Sequence, residues 1–309
     1  MSAARVTALT AIAPAVWGTT YIVTSELLPE GHPLFSGLVR ALPAGLLAIA
    51  LTRMLPTGAW WWKSAVLGVL NIGAFFPLLF LTAYRLPGGV AATLNAAQPL
   101  VVAVLAVVLL GQALSKWRVG WGLVGVLGVA LIVLNADALL DGVGLVAGVL
   151  ATASMATGVT LTKRWGRPAD VTAMGFAGWQ LTAGGLVLAP VALLAEGVPS
   201  SVNGPALAGY LWLGLVGGLI TYTLWFSGIG RLPVTAVALL GLLSPIVAAT
   251  LGALVLGQEL SAVQLLGFLL ALTAIVAGQL TPRPRTPQAV AHATVREPHE
   301  EQTPERSPS

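Results

Sequence analysis

Polar and charged positions do not alternate with apolar ones along this chain. They bunch at intervals and leave long apolar runs between them. The runs cover roughly 6–27, 34–53, 63–83, 89–111, 118–135, 142–163, 171–194, 205–228, 234–256 and 262–280, each bounded by charges or Pro/Gly clusters. A helix that crosses a bilayer needs about 20 mostly apolar residues. Each run therefore predicts a transmembrane helix, ten in all. The first run follows a single positive charge, Arg5, and has the outline of a signal peptide. Its length and the spans behind it make it an uncleaved first helix instead. From Thr281 the pattern stops: residues 281–309 hold six prolines, four basic and four acidic residues and little apolar content, the composition of a disordered tail.

Part of the pattern occurs twice. Residues 85–115 begin Arg85-Leu86-Pro87, pass through Pro99 and close with Gly111-Gln112 and Leu114-Ser115. Residues 231–261 begin Arg231-Leu232-Pro233, pass through Pro245 and close with Gly257-Gln258 and Leu260-Ser261. Fourteen of the 31 aligned positions are identical at an offset of 146. Shared Ala, Leu and Val carry little weight in so apolar a chain; the recurring Arg, Pro, Gly, Gln and Ser carry much. The chain reads as a duplication, 6–135 and 142–280, and duplication within a membrane is the usual architecture of a transporter. Five spans per half is an odd number, so the second half enters from the opposite side. The expected fold is an all-α polytopic membrane protein, ten transmembrane helices in two inverted five-helix repeats, with a cavity between the halves near the midplane.

Charge sets the orientation. The chain is 57% hydrophobic and 8% charged, where a soluble domain carries about 25% charged residues. With the N-terminus inside, the cytoplasmic segments carry Arg5, Arg53, Lys63, Lys116, Arg118, Lys163, Arg164, Arg167 and Arg231. The other side carries Glu26, Glu30, Asp137, Asp141, Glu196 and Glu259, with Arg85 as its one basic loop residue. This bias predicts cytoplasmic termini.

Polar groups inside spans cost free energy and each asks for a reason. Arg40 lies about two turns into its span. It is either structural, reaching outward or bonding loop carbonyls, or a cation that meets a carboxylate on a substrate. Gln180 takes the corresponding place in the second half, which favours the structural alternative. Asn95 and Gln98 are one turn apart before Pro99, and their repeat partners are Gly241 and Ser244 before Pro245. The two prolines each free a carbonyl one turn earlier, which suits backbone lining a cavity. Trp17 and Thr20, Asn71, and Tyr222 with Trp225 are further mid-span polar or aromatic positions. Trp17, Thr20, Asn71, Asn95, Gln98, Tyr222, Trp225 and Ser244 are thus the candidate substrate-binding residues. Trp60, Trp61 and Trp62 are read as interface anchors. Gly122, Gly125 and Gly128, and the pairs Gly144/Gly148 and Gly214/Gly218, are read as small faces for helix packing.

The chain has no cysteine and three histidines, His32, His292 and His299, none within a span. No Asp or Glu lies at the middle of a span, and no phosphate-binding Gly-rich motif occurs. A metal site, a cofactor and an enzyme with an intramembrane acid–base set are therefore not expected.

Several segments resemble the EamA family of the drug/metabolite transporter superfamily: Trp17-Gly18-Thr19-Thr20-Tyr21, Arg40, Gln98-Pro99 with Gly111, then Trp179-Gln180, Ser244-Pro245 and Gly257-Gln258-Glu259-Leu260. The resemblance covers about 9–134 and 143–279. Trp17–Pro29, Arg40–Leu46 and Tyr84–Ala92 are similar to the PecM-type branch, associated with metabolite or pigment efflux. The resemblance implies a ten-helix inverted-repeat carrier of the bacterial inner membrane that exports amino acids, related metabolites or drugs. Gln112-Ala113 departs from the Gly-Glu that many members carry there. The carboxylate that related small multidrug exporters keep in their first helix is absent. The expected partners are a small-molecule substrate and the lipid bilayer, with no nucleic acid, for a monomer or homodimer working by alternating access. A non-transporting membrane sensor or scaffold is the alternative.

Overall fold

The structure is a computed structural model and describes residues 2–85, 94–133, 141–255, 257 and 261–280. Among them every regular element is helical, as backbone must be where no water is at hand to bond it. The first half contains α1 (Ala3–Gly18), α2 (Thr20–Leu27), α3 (Pro33–Thr52), α4 (Trp60–Gly68), a π-helical segment (Val69–Gly73), α5 (Phe75–Arg85), α6 (Gln98–Leu110) and α7 (Lys116–Val133). The second contains α8 (Gly142–Trp165), α9 (Ala173–Ala195), α10 (Gly204–Leu211), a longer π segment (Trp212–Ile220), α11 (Thr221–Arg231), α12 (Val234–Leu240), α13 (Leu243–Val255) and α14 (Ala262–Gln279).

Eight helical stretches among the described residues are long and apolar enough to cross a membrane, several of them continuous through a break or a π turn. The other two expected spans, 89–111 and 118–135, run partly outside the described residues. Their described parts are the helices Leu94–Leu110 and Lys116–Val133. Aliphatic side chains crowd the outer surface, Leu194 at 88%, Leu254 at 79% and Val108 at 72% exposure. Such a surface is stable against lipid and not against water.

The repeated residues have local reasons. Gly111 ends α6 and Gly257 follows α13, both in the left-handed region at φ +63° and +66°, where a side chain would be strained. The Ser115 hydroxyl accepts the Arg118 amide at the start of α7, and Ser261 accepts the Gln264 amide at the start of α14. The matched serines are thus matched N-caps. Pro99 and Pro245 follow turns at Ala97 and at Gly241–Leu242, where the chain makes i→i−3 bonds. Leu86, Pro87, Gln258, Glu259, Leu260 and the tail lie outside the described residues.

The halves are knitted by close backbone approach. α3 packs along α9, α7 along α14, α8 against α5 and α6, and α1 against α11 and α13. A Cβ on Gly185 would lie 2.7 Å from that of Leu42, and one on Gly128 would lie 2.6 Å from the Ala271 amide. On Gly218 it would lie 2.7 Å from the Arg40 carbonyl. These contacts make glycine the residue that fits at these crossings, as the small-face reading expects. Of the three tryptophans read as anchors, Trp61 and Trp62 are exposed. Trp60 instead turns inward, 5.6 Å from Phe176 and 6.1 Å from Trp179, with the Lys63 ammonium 5.0 Å from its ring.

Candidate functional site

A cavity of about 460 Å³ lies between the halves. Its walls come from α1 and α2, α3, α5, the Asn95–Pro99 break, α8, α11 and the Gly241–Pro245 break. Three helix breaks meet here, at Gly18–Thr20, Asn95–Pro99 and Gly241–Pro245. At Gly18-Thr19-Thr20 the first span breaks, because a glycine and two threonines weaken the helix and the Thr19 hydroxyl donates to the Val16 carbonyl instead. The break leaves Trp17 and Thr20 on the cavity wall.

Seven of the eight sequence candidates line this cavity: Trp17, Thr20, Asn95, Gln98, Tyr222, Trp225 and Ser244. Asn71 does not, and this corrects the sequence expectation. It is fully buried in the first π segment, where its Nδ2 donates to Gln180 Oε1 at 2.9 Å. Mid-span depth made it a candidate; its side chain faces the tightly packed α9 rather than the open space.

The second π segment supplies the counterpart. Gly217 stands 146 residues after Asn71, the offset of the repeat. Just as Asn71 is tied to Gln180, Gly217 is tied to Arg40. The guanidinium donates to the Gly217 carbonyl from Nε at 3.3 Å and Nη2 at 3.0 Å, and from Nη1 to the Thr20 hydroxyl at 3.3 Å. The same carbonyl accepts the Trp17 indole at 3.1 Å and the Thr221 hydroxyl at 2.7 Å. A π turn reaches to residue i+5 and leaves carbonyls open to additional donors. Arg40 thus holds α3 to the second half, and it also lines the cavity beneath Phe76 at 5.6 Å.

Trp17 is the centre of an aromatic wall, 5.1 Å from Tyr222 and 5.2 Å from Trp225. Phe75, Phe76 and Phe80 face it from α5. The sequence reading missed these phenylalanines because they are apolar residues in an apolar span; their Phe76/Phe80 spacing of one turn is the only trace. Among the described residues no Asp or Glu lines the cavity. The Asn95 carboxamide accepts from Thr152 at 3.4 Å. The Trp225 indole N–H and the Gln98 amide nitrogen are buried without a hydrogen-bond partner.

The two ends of the cavity differ. Toward the end where α2 finishes, Thr24, Ser25 and Pro33 line it, and Ser25 is exposed. There the Glu196 carboxylate accepts the Leu34 and Phe35 amides at 3.0 and 2.9 Å, a cap on α3 from the end of α9. Toward the opposite end, where α11 finishes at Arg231, the packing is solid: Phe226, Ile229, Leu239 and Leu240 are all buried. Lys163 at the end of α8 closes that side by donating to the carbonyls of Gly230 and Leu232 at 3.0 and 2.9 Å.

Known proteins are similar to this chain. Protein PecM of Dickeya dadantii is 48% identical over 264 residues, 85% of this chain and 89% of that one. A WAT1-related chloroplastic protein of Arabidopsis thaliana is 30% identical over 275 residues, 84% of this chain and 66% of that one. An uncharacterized transporter of Synechocystis is 28% identical over 293 residues, covering 86% and 88%. A protein crystal structure at 18% identity has a TM-score of 0.75, over 89% of this chain and 96% of that one, a likeness of fold. The description of the EamA-like transporter family matches residues 5–134 and again 142–277. The two matches fall on the two halves that the repeated Arg-Leu-Pro segments mark and that together wall the cavity, and the chain belongs to the EamA-like transporter family, as a multi-span membrane transporter.

Proposed function

We propose that the chain is a secondary exporter of small metabolites, and that the cavity is its substrate site. The supporting observation is that corresponding elements of the two halves, Gln98-Pro99 and Ser244-Pro245, meet at one polar and aromatic cavity that the exposed Ser25 lines at one end while buried side chains pack the described residues of the other. A site that reaches one face while the other is packed shut is one end state of an alternating-access cycle. The pairing of Arg40 with Gly217 and of Gln180 with Asn71 supports ten helices in two inverted halves. The lysine and arginine bias supports an inner-membrane orientation with cytoplasmic termini. On that orientation the structure is outward-facing.

Counterflow in proteoliposomes with a panel of radiolabelled metabolites tests the exporter reading, and Asn95→Leu and Gln98→Leu test the site. Each replacement keeps volume and removes hydrogen bonds, so the affinity of a transported solute should fall about ten- to hundredfold. Folded yield should hold, since membrane hydrogen bonds average only about 0.6 kcal/mol. Undiminished transport in both variants at normal yield removes the Asn95–Pro99 break from the site.

A further inference from the structure

A second hollow lies on the lipid-facing side of the crossing between α5 and α8, and it holds about 540 Å³. Leu78 and Leu81 of α5 and Val143, Val146 and Leu150 of α8 wall it, and Gly142 and Ala147 leave its floor low. The α8 wall residues are exposed, so the groove opens toward lipid. At one mouth α5 finishes at Arg85, and Asp141 stands just before α8. Arg85 Nη1 lies 3.7 Å from Asp141 Oδ2, longer than a hydrogen bond. The two side chains keep 51% and 38% of their surface exposed, and a pair this open adds little to stability. Asp141 Oδ1 is occupied, since it accepts the Gly144 amide at 2.8 Å and caps α8; Oδ2 faces the arginine.

Depth and charge together identify the occupant. From Asp141 to Leu150 the helix rises about 13 Å, close to half of a hydrocarbon core of about 30 Å. The groove is therefore one leaflet deep, with two opposite charges at the level of the headgroups. A phosphate suits the fork of Arg85. A primary ammonium, with three hydrogens to donate, suits the Asp141 carboxylate. A glycerol headgroup brings only the anion and sets it beside Asp141. A trimethylammonium brings the charge without a hydrogen to donate. We propose that the groove is a binding site for one phosphatidylethanolamine molecule, with an acyl chain along the Leu and Val walls, the phosphate on Arg85 and the ammonium on Asp141. α5 separates this site from the cavity between the halves: Leu78 and Leu81 line the groove, and Leu79 and Phe80 line the cavity. The bound lipid thus backs one wall of that cavity.

Native mass spectrometry of the full chain tests this. The protein is released from detergent micelles titrated with phosphatidylethanolamine, phosphatidylcholine or phosphatidylglycerol of identical acyl chains, and retained lipids are counted. One phosphatidylethanolamine should be retained, about tenfold more tightly than either of the others. Asp141→Asn keeps the helix cap and removes the charge. It should weaken phosphatidylethanolamine about tenfold and leave phosphatidylglycerol no weaker. Arg85→Gln should weaken all three, since each carries the phosphate. Val146→Trp keeps both charges and fills the groove from a position 60% exposed to lipid. It should displace the lipid, and it serves as the second variant should a charge variant fold poorly. Phosphatidylglycerol or phosphatidylcholine retained as tightly as phosphatidylethanolamine overturns the proposal. So does an unchanged phosphatidylethanolamine affinity in Asp141→Asn or in Val146→Trp, or no retained lipid in the parent. A lipid-free dimer that Val146→Trp splits also overturns it, because a second copy of the chain then fills the groove.

Discussion

Arg40 and Asn71 show how poorly depth in a span discriminates between wall and packing. Both are buried polar residues on the interface between the halves, yet one lines the cavity and the other does not. The difference is the partner helix: π-segment Gly217 leaves a void beside Arg40, whereas Gln180 fills the space beside Asn71. Replacing Asn71 by Leu should therefore lower stability and leave solute affinity unchanged. Losing the Gln180 bond strands a second buried amide, so a destabilisation of about 1–2 kcal/mol is expected in detergent unfolding. The double variant Asn71→Leu/Gln180→Leu should recover much of it, because no amide is then left without a partner. A solute affinity that falls in Asn71→Leu would return this residue to the cavity wall.

At the scale of elements, the helix ends carry the information. The paired Gly, Pro and Ser of the repeat were legible from sequence, because left-handed turns, helix breaks and N-caps each demand a residue type. The π segments were not, since nothing in Val69–Gly73 or Trp212–Ile220 distinguishes i→i+5 bonding from an ordinary helix. Lys163 was read only as one of nine basic residues on the cytoplasmic side. Its place at the end of α8, capping the last carbonyls of α11, gives it a mechanical role. Lys163→Met should loosen the packed end. The chain has no cysteine, so a single Ile229→Cys reports on that end directly. Losing about 1 kcal/mol of closure raises the open population roughly fivefold, and thiol labelling at position 229 should speed up accordingly. Labelling as slow as in the parent would show that the apolar packing alone keeps this side shut.

At the scale of the whole molecule, no acid among the described residues lines the cavity: Glu26 is exposed at the end of α2, and Glu196 is engaged with α3. Transport should follow the solute gradient or an exchange, and collapsing the pH gradient across proteoliposomes should leave it running. Transport that stops with the solute gradient intact would require a titrating group elsewhere. The all-helical, multi-span fold and the polar positions of the cavity wall could be read from the chain because apolar length, repeat spacing and polar cost are written in single residues. The closed end and the phenylalanine side could not, because they depend on which neutral faces meet. The π segments bear on chain length itself. A π turn holds about one residue more than an α turn, so Trp212–Ile220 stores a surplus residue in an otherwise regular span. A one-residue deletion there can be absorbed by reverting to α bonding, leaving α11 unturned; the same deletion in α9 would rotate all that follows by about 100°. The first deletant should fold to near-normal yield and the second should not. Without the widened turn, however, the Gly217 carbonyl is no longer turned toward Trp17 and Arg40, so the folded deletant should bind solute poorly, an outcome that yield and titration together would read out.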